Sequence, residues 1–332
     1  MTSHLSQIDP AIARTHELVE KLQRPEQEAL WLNPPALLSS TGAPTSRVWQ
    51  PHYSGYSGLA RRGWKALEPT SEQRWGRVVL YASKHKEENW ALLDAANDLL
   101  RPDGSLLFAV PNDYGSKSYE AGLKERGRLV DYDSARKSRV YRLRQQPATA
   151  VPLEQPQRNS AGFWSCPGLF SWNAVDRGSA LLAEALEGQA LSGPVADLGA
   201  GWGYLSSTLD PKLELHLFET DRRGLDCAAL NLEGRRAAYH WCDLTDTERW
   251  PEGAPTSVGT VVTNPPFHAG KKEETALGQL FARLAHRLLG KGGALWLVGN
   301  THLAYPRLLA TLYRSVEVRA QRDGFTVVKA VK

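Results

Sequence analysis

The chain has 332 residues, 42% of them hydrophobic and 23% charged, with a formal net charge of +4 and three cysteines. That length exceeds what one core commonly serves, so two domains are expected. No apolar run approaches a membrane span, and Asp9, Glu17 and Glu20 among scattered apolar residues do not make a secretory leader. Cys166, Cys227 and Cys242, odd in number and without paired spacing, fit reduced thiols in a cytoplasmic protein. His240 and Cys242 alternate along one strand, but two groups do not make a metal site, so no structural metal is expected.

In chain order, Asp9-Pro10 reads as a helix start, with Asp as N-cap and Pro at the first helical position, and Pro25 ends the helix. Ala29 to Leu32 reads as a strand closed by Asn33-Pro34-Pro35. Residues 39–75, rich in Ser, Gly, Pro, Arg and Trp, lack periodicity and predict loops. Val78 to Tyr81 predicts a strand and Asn89 to Leu100 a helix. After the turn Arg101-Pro102-Asp103-Gly104, Leu106 to Val110 predicts another strand. Residues 1–150 hold 21 Lys and Arg against 17 Asp and Glu, whereas residues 151–332 hold 19 of each, so the positive surplus sits in the first half. Within it, residues 124–144 carry eight basic side chains against three acidic ones, with Tyr132 and Tyr141 between them. Such a stripe suits a phosphate backbone, and equally a solvated hairpin. A polar, proline-containing stretch at 149–162 predicts a linker between domains 1–148 and 163–332.

The second half opens with a helix over Ala180 to Leu186. Val195 to Leu198 then runs as a strand into Gly199-Ala200-Gly201-Trp202-Gly203 and a helix from Tyr204. Glycines there let the backbone approach a ligand, and the helix N-terminus adds positive field. The loop reads G-x-G-x-G, with Asp197 ahead of it, and departs from the G-x-G-x-x-G of nicotinamide dinucleotide folds. The strand Leu213 to Phe218 ends in Glu219, placed to accept ribose hydroxyls, and Asp243 follows a third strand, placed to accept from an adenine amino group. Val258 to Thr263 predicts a fourth strand that delivers Asn264-Pro265-Pro266-Phe267. Asn264 offers a side-chain carbonyl, Pro265 a backbone carbonyl whose direction the two prolines restrict, and Phe267 a stacking face. Together they suit a planar exocyclic amine, which presents two N–H donors.

The halves resemble each other. The strand at 78–81, Lys84-His85-Lys86-Glu87-Glu88, a helix, a Gly turn and the strand at 106–110 parallel the strand at 261–263, Lys271-Lys272-Glu273-Glu274, a helix, Gly292-Gly293 and the strand at 294–298. Tyr81 to Gly104 is seven residues shorter than Thr263 to Gly293, and Asn33-Pro34-Pro35-Ala36 sits where the second copy has its Gly-rich loop. The first half is therefore expected to keep the fold and to have lost cofactor binding.

The order of Gly loop, Glu219, Asp243 and Asn264-Pro265-Pro266-Phe267 resembles the class I S-adenosylmethionine-dependent methyltransferases. Residues 168–179 (GLFSWNAVDRGS) and 264–270 (NPPFHAG), with the duplicated first half, resemble the ribosomal RNA guanine-N2 methyltransferases of the RsmC and RlmG type. The resemblance implies an α/β fold of two tandem Rossmann-like methyltransferase domains, each a mostly parallel seven-stranded sheet with helices on both faces, the N-terminal one degenerate and RNA-binding. It implies S-adenosylmethionine as cofactor, held by Asp197, Gly199, Gly201, Glu219, Asp243 and Asn264. Asn264, Pro265 and Phe267 are implied as catalytic, and Phe170, Asp176, Phe267, His268, Arg136 and Lys137 as substrate-binding. The implied partner is ribosomal RNA within the small subunit, with no DNA or membrane partner, and the chain is expected to be a cytoplasmic monomer. A 23S RNA substrate, a DNA adenine or protein glutamine substrate, and a non-catalytic RNA-binding role remain open at this point.

Overall fold

The computed structural model describes residues 9–22, 28–38, 45–67, 73–150, 152–153, 156–246, 250–266, 271–303 and 305–332, and the chain divides into two compact units between Gln155 and Pro156. The first contains α1 (Pro10–Leu22), β1 (Leu30–Leu32), β2 (Arg47–Trp49), α2 (Tyr53–Ala60), β3 (Trp75–Tyr81), α3 (Lys86–Asp98), β4 (Leu100–Pro111), α4 (Ser116–Glu125), β5 (Leu129–Ala135) and β6 (Ser138–Leu143). Its sheet runs β2-β1-β3-β4-β6-β5, parallel through β4 and antiparallel for the last two pairings.

The second unit opens with the short pair β7 (Gln157–Arg158) and β8 (Trp164–Ser165), so residues 157–162, read above as linker, are built into it. There follow α5 (Arg177–Leu186), β9 (Val195–Leu198), α6 (Tyr204–Thr208), β10 (Leu215–Glu219), α7 (Arg222–Asn231), β11 (Ala237–Trp241) and β12 (Val258–Thr263). Then come α8 (Lys271–Leu288), β13 (Leu289–Asn300), α9 (Tyr305–Leu309), β14 (Ser315–Arg322) and β15 (Phe325–Val331). The sheet order is β11-β10-β9-β12-β13-β15-β14. Because the strands are covered on both faces, successive residues alternate between two cores. On β13, Leu295 and Leu297 pack with Phe281 and Leu284 of α8, while Trp296 and Val298 pack with Leu182 of α5 and Leu225 of α7. Strand order reverses between β9 and β12, which leaves a crevice at their C-terminal ends.

Two expectations need correction. Residues 39–75 are not all loop: Arg47–Trp49 is a strand and Tyr53–Ala60 a helix. Three residues are too few to show a period, and a helix reading YSGYSGLA has two glycines against it, so packing of Leu59 rather than propensity sustains it. The first sheet has six strands rather than seven among the described residues. The counterpart of β11 is reduced to a parallel bridge, Val48 with Ala66.

Register aligns the two units residue by residue. Ser105 follows Gly104 and pairs with Arg77; Ala294 follows Gly293 and pairs with Thr260. This sets Leu80 against Thr263 and Tyr81 against Asn264, one residue off the sequence alignment above. Pairing with β1 and β9 then sets Trp31 against Asp197, Asn33 against Gly199 and Pro35 against Gly201. Pairing with β2 and β10 sets Gln50 against Glu219. The alignment has independent support: Asn33 and Gly199 both lie in the left-handed region, with φ 52 and 74, and His52 and Asp221 both N-cap the next helix. In the first unit Tyr81, Gln50 and Pro35 thus stand where Asn264, Glu219 and Gly201 stand in the second. Tyr81, fully buried, bonds its hydroxyl to His16 Nδ1 at 2.8 Å, and Trp31 stacks on it.

The basic stripe is largely neutralised within its own unit. Lys124 and Arg139 pair with Glu120, Arg128 with Asp94, Arg136 with Glu17, and Arg142 with Asp131 and Asp133. Arg136 and Lys137 form the tip of the β5–β6 hairpin with φ 51 and 60, a two-residue turn that usually selects Asn or Gly.

Candidate active site

The loop after β9 is shaped by three glycines with φ 74, 53 and 81 at positions 199, 201 and 203. At Gly203 a Cβ would stand 2.9 Å from the Ala228 Cβ, so close packing onto α7 demands glycine; at Gly201 no heavy atom lies within 4 Å and the demand is conformational alone. Gly199 N and Ala200 N both donate to the Phe218 carbonyl, at 2.9 and 3.1 Å. Gly201 N donates to Glu219 Oε2 at 2.8 Å. The other Glu219 oxygen accepts from Thr220 N at 2.7 Å and Asp221 N at 2.9 Å, so the carboxylate at the end of β10 ties the loop to the start of α7. Burial pushes the Glu219 carboxyl above its usual range, and the backbone N–H groups oppose that shift. Gly224, unnoticed in the sequence, lets α7 approach: a Cβ there would lie 2.9 Å from the Gly201 carbonyl oxygen.

A cavity of about 290 Å³ opens along these elements. Gly199, Gly201, Glu219, Asp243, Asn264 and Pro265 line it, which brings together residues from four strand ends. Phe170 and Asp176 line it as well, Phe170 with 46% of its surface exposed. Its apolar wall includes Leu277 and Phe281, one turn apart on α8, and Cys242, whose thiol burial pushes up to about 12. The Leu277/Phe281 pair has the i, i+4 spacing of a buried helix face and was visible only as that. Asp243 Oδ1 accepts from Thr245 N and Oγ1, at 2.9 and 2.6 Å, which fixes the carboxylate at the cavity rim.

Asn264 is held from below. Its Nδ2 donates to Asp176 Oδ2 at 2.9 Å and to Ser179 Oγ at 2.8 Å, while its Oδ1 is buried with no hydrogen-bond partner among the described residues. A buried acceptor without a partner is expensive in a folded protein, and where it belongs to a residue that lines a cavity it is free to bond a ligand or a water there. Ser179 was missed because a serine at the third position of a helix looks like ordinary N-terminal capping chemistry.

Asp197 departs from its assigned place. It does not line the cavity; it is 2% exposed, its Oδ2 accepts from Ser206 Oγ at 2.7 Å, and its Oδ1 has no partner among the described residues. Burial pushes its carboxyl up to about 7. The physical reason lies in strand alternation: Leu198, the next residue, leads into the loop, and Asp197 points into the layer under α6. Phe267 and His268 lie outside the described residues. Arg136 and Lys137 belong to the first unit.

Comparison with known proteins places this geometry. Residues 160–329 match the family model "Methyltransferase small domain", and residues 35–156 match "Methyltransferase small domain N-terminal". Ribosomal RNA small subunit methyltransferase C of Serratia proteamaculans is 31% identical over 268 residues, covering 76% of this chain and 74% of that protein. The protein of the same name from Alteromonas mediterranea is 30% identical over 265 residues, covering 76% and 72%. The chain belongs to the ribosomal RNA small subunit methyltransferase C family. It is an enzyme of the methyltransferase class. Among solved structures, the T. thermophilus 16S rRNA N2 G1207 methyltransferase (RsmC), in complex with AdoMet and guanosine, superposes with a TM-score of 0.77 at 25% identity, covering 98% of this chain and 92% of that one. In this methyltransferase no helix among the described residues is long and apolar enough to cross a membrane.

Proposed function

We propose that this methyltransferase transfers the methyl group of S-adenosylmethionine to the exocyclic N2 amine of a guanine in 16S ribosomal RNA. The observation that carries the reading is Asn264 Oδ1, a buried acceptor with no partner among the described residues, on a residue that lines the cavity beside the Gly loop. Family membership and the solved relative with AdoMet and guanosine support the cofactor and the base.

The residues present fit that cofactor. Gly199 and Gly201 leave the loop bare of side chains, Glu219 Oε2 accepts only one backbone N–H in the described contacts and keeps capacity for ribose hydroxyls, and Asp243 offers an acceptor for an adenine amine. Leu277, Phe281 and Cys242 give an apolar wall for the adenine faces. When bound, S-adenosylmethionine supplies an electrophilic methyl group on a sulfonium.

The rest falls to the chain. The guanine N2 lone pair is delocalised into the ring, so the amine is a weak nucleophile until the nitrogen pyramidalises. Asn264 Oδ1 and the Pro265 carbonyl accept its two N–H groups and favour that geometry as positive charge develops, a gain larger in the transition state than before it. The loop and the exposed ring of Phe170 hold the base in line. The methylated, positively charged amine then loses a proton to water, so no strong base is required. The base must leave its stack to enter, which costs a few kcal/mol unless the RNA is already open. The first unit supplies RNA contacts, with Arg136 and Lys137 at its hairpin tip, and binds no cofactor. The enzyme acts on small-subunit RNA in the cytoplasm as a monomer.

Mapping of N2-methylguanosine in 16S RNA from cells with and without this protein tests the reading. Asn264→Ala should lower methyl transfer by about 10²-fold with cofactor binding nearly intact. Loss of cofactor binding in that variant overturns the assigned role.

A further inference from the structure

We infer that Asp176 is a positioning residue for the reaction, acting on the substrate only through the amide of Asn264, which it orients and polarises. The inference rests on the role proposed above for Asn264. Asp176 N-caps α5: its Oδ2 accepts from Ser179 N at 2.8 Å, and the same oxygen accepts from Asn264 Nδ2 at 2.9 Å. The second Asn264 Nδ2 proton goes to Ser179 Oγ at 2.8 Å.

An ionised carboxylate only accepts, so the Asn264 amide cannot turn over without setting its own oxygen against Asp176 Oδ2. With both Nδ2 protons engaged, Oδ1 is the polar atom of this side chain left for a ligand, and it is the one without a partner. The cap of α5 therefore decides which end of the Asn264 amide is offered. In the opposite orientation an N–H group would confront the amine's own N–H groups, and the acceptor would be gone.

The charge has a second effect. An N–H donated to a carboxylate draws electron density toward the amide oxygen, which strengthens Oδ1 as an acceptor. Positive charge that develops on the substrate nitrogen is then stabilised by a negative charge one residue removed, in a site partly screened from water. Neither effect requires Asp176 to touch the base, although it lines the same cavity. A helix cap whose spare capacity is spent on the catalytic loop explains why an Asp and a Ser three residues apart both face one asparagine.

Asp176→Asn removes the charge, and with it the polarisation and the acceptor-only partner that forbids the Asn264 amide to turn over, while keeping the cap, because Asn caps a helix about as well as Asp and has nearly the same shape. The variant should keep the wild-type thermal midpoint and a cofactor KM within about two-fold, while kcat for methyl transfer to small-subunit RNA falls about 10-fold. Ser179→Ala, which retains the charge and frees one Nδ2 proton, should lower kcat by a smaller factor, about 3-fold. A kcat for Asp176→Asn within about two-fold of wild type overturns the inference, as does an effect confined to the KM of RNA or cofactor, which would make Asp176 a direct ligand. Asn264→Ala run in parallel distinguishes the two failures. If it is inactive while Asp176→Asn is fully active, only the positioning role falls; if it is fully active, the acceptor reading falls with it.

Discussion

Replacing Asp197 with Asn should make the protein more stable, and increasingly so as pH rises. The carboxyl is completely enclosed and burial raises it from an ordinary 3.8 to about 7. The folded state therefore holds a proton to higher pH than the unfolded chain does. Below the unfolded value the group contributes nothing; as pH rises toward 7 it destabilises progressively, and above 7 the penalty is complete. Roughly three pKa units at about 1.4 kcal/mol each give a penalty on the order of 4 kcal/mol, of which about 3 kcal/mol develops between pH 5 and pH 8. Asn cannot ionise, and its carbonyl keeps the bond from Ser206 Oγ. Urea denaturation of both proteins at pH 5, 6, 7 and 8, without cofactor, measures the effect as a widening gap between midpoints. Glu219, raised in the same direction, is present in both proteins. A gap that stays constant across that range would refute the reasoning, because it would mean that folding leaves the Asp197 carboxyl unshifted.

Gly203→Ala should cost about 3 kcal/mol, from a left-handed backbone plus a Cβ contact of 2.9 Å with Ala228, and should weaken cofactor binding in a calorimetric titration. Asn231→Ala removes three hydrogen bonds, from Trp164 N and to the Trp164 and Trp202 carbonyls, at 2.7, 2.8 and 2.8 Å. A loss of about 3 kcal/mol is expected, with faster hydrogen exchange at Trp164 as the local readout. Tyr81→Phe in the first unit should cost about 1 kcal/mol through the lost bond to His16 and leave methyl transfer unchanged. Cofactor titration should give about one equivalent per chain, since Pro35 and Tyr81 stand where Gly201 and Asn264 stand in the second unit; two equivalents would refute the assignment of a single site.

Much of this was legible in the sequence because strand ends carry the chemistry. Gly199, Gly201, Glu219, Asp243 and Asn264 each follow an apolar run, and the fold brings all five to one cavity. Asp197 was misplaced because a carboxylate one residue before a Gly loop looks the same whether it faces the ligand or the layer beneath; one step along a strand reverses the face. Ser179, Gly224 and Phe281 were invisible as site residues, since their roles depend on elements distant in sequence. The basic stripe left its two readings open for a similar reason. Its carboxylate partners Glu17, Asp94 and Glu120 lie outside the window in which charge was counted, so local excess did not equal exposed field. A hairpin was one of those readings, but the place of its turn was not legible because Arg136 and Lys137 are unusual in a left-handed turn.

The paired loops carry an evolutionary consequence. In the second unit the peptide joining Ala200 to Gly201 shows its N–H to Glu219; in the first, the matching peptide between Pro34 and Pro35 shows its carbonyl to Gln50, whose Nε2 donates at 2.8 Å. One peptide plane has been turned over, and its partner has changed from acceptor to donor with it. Restoring glutamate alone at position 50 would set its oxygen against the Pro34 carbonyl, whereas glycine at position 35 leaves that carbonyl and its bond from Gln50 in place. The way back therefore has an order, glycine at 35 before glutamate at 50, and until the first change is made the second is opposed, so selection on the surface of the silent copy can proceed without rekindling a second reaction centre.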